Sequence, residues 1–162
     1  MFKSTGQVIY DPHRGKMKSR INMWCVMNVS TEITRYYRWW MKFQYHVNLQ
    51  PPSFDAHISI VRGEQITPDK MELWKKYQKQ VFEFEYDHGN IQKCRSGRTE
   101  THKDYNENMV QGYFYMIPVQ SEIINVIRSE LGLPTFSDYH LTIGRTYEYE
   151  ARVPKNILKL RK

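Results

Sequence analysis

The chain has 162 residues, 24 of them basic and 17 acidic, and carries a net charge of +7 with histidine neutral. Domains typically run ~100–150 residues, so this length fits one domain or two small lobes sharing a core, and a hydrophobic content of 40% excludes a wholly disordered chain. No apolar run nears the ~20 residues that cross a bilayer, the opening Met1 to Gln7 has no signal-like apolar core, and the basic balance favours anionic partners such as nucleotides or nucleic acid.

Gln7 to Tyr10 reads as a short edge strand, ended by Asp11-Pro12 and followed by a basic loop, Arg14 to Arg20. Asn22 to Val29 is apolar and β-leaning, the mark of a buried strand. Ser30 or Thr31 caps a helix in which Ile33, Tyr36, Tyr37, Trp40 and Phe43 recur at helical spacing to about Tyr45. Pro51-Pro52 breaks the chain, and Ala56 to Arg62 alternates as a strand. Thr67-Pro68 opens a helix with Met71, Trp74 and Tyr77 on its apolar face. Val81 to Tyr86 alternates as a half-buried strand.

Residues 87–112 are polar without a sustained period and read as a loop insertion. Tyr113 to Val119 resumes as a strand. Ser121 caps a helix with the stripe Ile123, Ile124, Ile127 and Leu131, which Gly132 and Pro134 end. Tyr139 to Arg145 is a further strand, and a basic tail follows from Arg152 to Lys162. The order of elements is an α+β pattern with antiparallel or mixed sheets. Cys25 and Cys94 form neither a C-x-x-C pair nor a zinc ligand pattern, so they read as free thiols in a reducing cytoplasm.

The strongest signal is an internal repeat. Pro52-Ser53-Phe54-Asp55-Ala56-His57-Ile58-Ser59-Ile60-Val61-Arg62 recurs, with one inserted residue, as Pro134-Thr135-Phe136-Ser137-Asp138-Tyr139-His140-Leu141-Thr142-Ile143-Gly144-Arg145. Side chains at i and i+2 of a strand share a face. His57 and Ser59 therefore lie together, opposite Ile58 and Ile60, and His140 and Thr142 lie opposite Leu141 and Ile143. The apolar faces call for helices to pack against them. The polar faces call for water or a ligand, because a buried unpaired imidazole or hydroxyl is costly. Two such strands across a pseudo-twofold axis would bring four polar groups to one cleft.

That set suits cleavage of a phosphodiester. An imidazole titrates near ~6.5 when unperturbed, so one ring can accept the proton of an attacking oxygen while another, charged, donates to a leaving oxygen. Each such group supplies roughly 10²–10⁴-fold. The hydroxyls of Ser59 and Thr142 would hold non-bridging oxygens, and neither a metal nor another cofactor is called for. Around them, Tyr10 reads as a base-stacking platform or a plain strand tyrosine. Arg62 and Arg145 recur at matched places and read as phosphate ligands or structural ion pairs. Asp55 and Asp138 read as orienting groups for the histidines or as turn caps. His13, His46, His88 and His102 lack a paired context and read as surface histidines, and Trp39, Trp40 and Trp74 as core or helix-surface residues.

The paired motifs His57-Ile58-Ser59-Ile60 and His140-Leu141-Thr142-Ile143 resemble those of the two-histidine (2H) phosphoesterase superfamily, with Ser59 where Thr is commoner. The resemblance implies one bilobal α+β domain over residues 1–162, a cleft between two sheets with helices outside, and metal-independent chemistry on phosphodiesters. The stretch from Ser19 to Trp40, with Pro51 to Glu64 and Pro68 to Lys76, further resembles the anti-CBASS nucleases of T-even-type bacteriophages. Those enzymes hydrolyse the cyclic di- and trinucleotides that serve bacterial immunity as alarm signals. This likeness implies action in the cytoplasm of an infected bacterial host, and one chain supplying both motifs favours a monomer without an obligate protein partner. The competing expectations are an RNA-end 2′,3′-cyclic phosphodiesterase or 2′–5′ RNA ligase-like enzyme, and a protein that binds cyclic nucleotides without cleaving them.

Overall fold

A computed structural model describes residues 1–13, 21–96, 102–103 and 109–149; the basic loop after His13 and the tail from Arg152 lie outside the described residues. Its elements in chain order are β1 (Phe2–Tyr10), β2 (Trp24–Asn28), α1 (Thr31–Tyr45), β3 (His57–Arg62), a 3₁₀ helix (Pro68–Leu73), β4 (Val81–Tyr86), β5 (Gln92–Arg95), β6 (His102–Lys103), β7 (Met109–Gln120), α2 (Glu122–Glu130) and β8 (His140–Tyr149). The class is α+β, with every strand pairing antiparallel. No helix among the described residues is long and apolar enough to cross a membrane.

Hydrogen bonding joins the eight strands of the described residues in the order β4-β1-β2-β3-β8-β7-β5, with β6 on β7 and a further β4–β7 pairing that closes a six-stranded ring. The resemblance implies two sheets, whereas the ladder is continuous. Two of its seams are nevertheless thin. β3 meets β8 through the pair Ile58–Leu141, and β4 meets β7 through Glu85–Gln120 and Tyr86–Val119. The first four strands and the last four thus form two halves joined along short edges. Each helix reaches across a seam: Arg38 of α1 bonds the Ile143 carbonyl of β8, and Arg128 of α2 bonds the Ile60 carbonyl of β3.

Alternation places the core on one face. Val8, Tyr10, Cys25, Met27, Ile58, Ile60, Phe84, Tyr86, Ile117, Val119, Leu141 and Ile143 are all buried, covered by Tyr37 and Met41 of α1 and Ile123, Ile124 and Ile127 of α2. Full burial of one such aliphatic side chain contributes about 1.5–3 kcal/mol. Ser30 caps α1 by accepting from the Glu32 amide at 3.3 Å, and His46 ends it in the left-handed region. The buried positions of α1 are Thr34, Tyr37 and Met41, so Tyr36 and Phe43, expected on the apolar stripe, instead stand in solvent with Trp39.

Four further elements differ from the sequence reading. β1 is nine residues long and lies between β2 and β4, not at an edge. The segment after Pro68 makes only a 3₁₀ turn, and Thr67 makes no side-chain cap bond. Ser121 occupies the N-cap position of α2, but its hydroxyl donates to the Glu83 carbonyl at 2.7 Å. Within 87–112, β5, β6 and the start of β7 are strands. Their polar alternation carries no apolar contrast; pairing with β7 and the Lys93–Glu148 ion pair at 2.6 Å supply the order.

Candidate active site

The seam between β3 and β8 sets the geometry. Ile58 and Leu141 are directly opposite and fully buried. Antiparallel register carried one residue to either side sets His57 across from Thr142 and Ser59 across from His140. All four lie on the face away from the core, and all are partly exposed. The seam thus brings the two halves of the sequence repeat into one polar patch.

The two imidazoles are held in the same way. His57 Nδ1 lies 2.7 Å from the Asp55 carbonyl oxygen, and His140 Nδ1 lies 3.3 Å from that of Asp138. A carbonyl can only accept, so Nδ1 carries the proton in both rings and Nε2 is the position that exchanges one. Asp55 and Asp138 therefore orient the histidines through their backbone carbonyls. The surroundings differ: Trp24 meets the His57 ring edge-on at 5.5 Å with Phe54 at 6.5 Å, while Phe114 lies 6.1 Å from His140.

A second symmetry was not visible in the sequence. Between Ser59 and Val61 the ladder with β2 slips by one residue, since Val26 pairs with Ser59 and Cys25 with Val61. Between Thr142 and Gly144 the ladder with β7 slips likewise, with Met116 opposite Thr142 and Tyr115 opposite Gly144. In both strands two successive residues after the hydroxyl, Ile60-Val61 and Ile143-Gly144, are buried. A bulge of this kind reverses the alternation beyond it. Arg62 and Arg145, which strict period-two geometry would send to the core side, are thereby returned to the face of the histidines.

The bulges are supported from outside the sheet. Arg128 Nη1 donates to the Ile60 carbonyl at 2.7 Å, its Nε donates to Pro134 at 2.6 Å, and its fork binds both carboxylate oxygens of Glu64 at 2.6 Å. Arg128 is 1% exposed, and its hydrogen bonds hold the Glu64 carboxyl below the usual carboxylate range. Arg38 Nη1 donates to the Ile143 carbonyl at 2.9 Å. Both bulge residues thus have their carbonyl satisfied by a helix arginine. Neither arginine stands out in the sequence, where each reads as one basic residue on an amphipathic helix.

The supporting residues fall out unequally. Arg62 is exposed, with its guanidinium 5.8 Å from the Trp24 ring centre. Arg145 donates to the Ser53 hydroxyl at 2.8 Å, and its backbone bridges Gln50. Tyr10 is 3% exposed and packs edge-on against Trp74 at 4.9 Å, so it belongs to the core and not to a cleft mouth. Parity decides this: Tyr10 pairs with Cys25 on the core face. Of the other histidines, His88 stacks on Phe2 at 3.8 Å, far from a bare surface position.

A cleft of about 210 Å³ opens beside the patch, lined by Ser59, Arg62, Glu64, Arg128, Phe136 and His140 among others. A larger concavity, about 850 Å³, lies between α1 and β4 and contains neither motif. Position beside the histidines, not size, identifies the candidate site. Among the described residues no group of three or more His, Cys, Asp or Glu side chains is arranged to hold a metal ion. No family model, curated protein or solved structure matches the chain.

Proposed function

We propose that the protein is a phosphodiesterase of the two-histidine kind, with a bilobal 2H-like fold, that opens 3′–5′ bonds of cyclic di- and trinucleotides without a metal. The observation that carries this reading is the seam itself. Ile58 opposite Leu141 gathers His57, Ser59, His140 and Thr142 on one face, with both rings oriented by matching Nδ1–carbonyl bonds.

In this reading one neutral imidazole takes the proton of a ribose 2′-hydroxyl through Nε2 as that oxygen attacks phosphorus. The other ring, charged, gives its Nε2 proton to the departing 5′-oxygen. The P–O5′ bond breaks as the P–O2′ bond forms, leaving a 2′,3′-cyclic phosphate that water can open to a 3′-phosphate. Ser59 and Thr142 donate to the non-bridging oxygens, where negative charge grows. The net charge of +7 favours approach of such a substrate.

The test is incubation of the protein, in excess EDTA, with a 3′,3′-linked cyclic dinucleotide and a cyclic trinucleotide, products being resolved by mass spectrometry. Linear products are expected from wild type. His57→Ala and His140→Ala are expected to bind substrate and to lose at least about 100-fold in turnover. Full turnover by either variant overturns the assignment. Binding without products would favour sequestration, and preferential consumption of RNA with a 2′,3′-cyclic end would favour the RNA-end enzyme.

A further inference from the structure

The Pro-[Ser/Thr]-Phe turns that precede the two histidines have no part in the acid–base chemistry, and the structure treats their phenylalanines differently. Phe54 is partly buried and packs on Trp24, ring centres 5.6 Å apart. Phe136 is 49% exposed. Its ring lies 4.4 Å from the Arg128 guanidinium, which is itself fixed by Glu64, Pro134 and Ile60. A large aromatic ring braced on an immobile cation and half open to water is a preformed surface. It also lines the 210 Å³ cleft with Ser59, Arg62 and His140.

Burying an exposed aromatic ring against a flat partner is favourable, and a nucleobase is the flat group next to a scissile phosphate in the proposed substrate. Resting on that functional reading, we propose that Phe136 is the stacking platform for the nucleobase on the His140 side of the scissile phosphate. Arg62, returned to this face by the β3 bulge, stands in the same cleft to meet phosphate. Phe54 already has Trp24 against it, so the two sides of the pseudo-symmetric site are unequal. One nucleotide is gripped by its base and the other chiefly by its phosphate.

Calorimetric titration of the full chain with adenosine 3′-monophosphate and with inorganic phosphate tests this without turnover. Wild type is expected to bind the nucleotide about tenfold more tightly than phosphate, the scale of one base–aromatic stack. Phe136→Leu keeps apolar cover on Arg128 but has no π face; it is expected to lose that margin and keep its affinity for phosphate. Phe136→Trp is expected to keep both. Nucleotide affinity unchanged in Phe136→Leu, or no margin in wild type, overturns the inference. A Phe136-dependent margin in a protein that fails to cleave cyclic oligonucleotides would uphold the stacking site and remove the proposed reaction.

Discussion

The carbonyl of Ile60 accepts a 2.7 Å hydrogen bond from Arg128, a residue of the opposite half of the chain. Arg38 and Ile143 repeat the arrangement in the reverse sense at 2.9 Å. A bulged residue loses its place in the ladder, and a buried carbonyl left without a donor costs about 1–3 kcal/mol. The two arginines thus hold the bulges that aim Arg62 and Arg145, and they tie the halves together across the β3–β8 seam.

Removing Arg128 should be the more damaging change. Arg128→Met would leave the Ile60 and Pro134 carbonyls and the Glu64 carboxylate without their donor. A loss of about 3–5 kcal/mol is expected in urea denaturation. Arg38→Met removes a single such bond and should cost about 1–2 kcal/mol. Equal losses would show that the Glu64 and Pro134 bonds of Arg128 add nothing to stability.

Glu64 should make stability depend on pH. Its carboxyl is held below the usual range first by hydrogen bonding to Arg128. A depressed folded-state value means that its contribution is complete above the ordinary carboxylate value of ~4.3 and is lost as pH falls through the folded-state value. Wild type should therefore melt higher than Glu64→Gln at pH 7, and the gap should close on acidification below about pH 4. A gap that persists unchanged to pH 2 would contradict this.

The hydroxyls should matter through their oxygens and not their size. Ser59→Thr is expected to keep turnover within a few-fold. Ser59→Ala and Thr142→Val should each lower kcat about 10–100-fold, the value of a hydrogen bond to a charged group. Steady-state kinetics on a cyclic dinucleotide would separate these outcomes; wild-type kcat in both alanine and valine variants would remove the hydroxyls from the mechanism.

Gly144 should tolerate no side chain. A Cβ there would lie 2.8 Å from the Leu49 Cβ and 2.9 Å from the Gln50 carbonyl oxygen, where the Gln50–Arg145 bridge presses against β8. Gly144→Ala is expected to cost about 1–3 kcal/mol in thermal or urea unfolding. The matching position in β3 is Val61, whose side chain is buried in the core, so Val61→Ala should cost only the ordinary loss of two buried methyl groups.

The two His-apolar-hydroxyl strands, the faces of their side chains and most of the surrounding elements are legible in the residue pattern. Those follow from local rules: period-two alternation around Ile58 and Leu141, and the isoleucine stripe and Gly132 stop of α2. The rest depends on contacts between segments distant in the chain. Tyr10 is core because its partner is Cys25. β5 is a strand because β7 pairs with it, not because its own residues alternate. The bulges, the two supporting arginines and the open ring of Phe136 depend on which carbonyl or guanidinium a distant segment presents. A side chain's own chemistry is written in its local spacing, whereas a ladder slip and its repair exist only between strands brought together by folding.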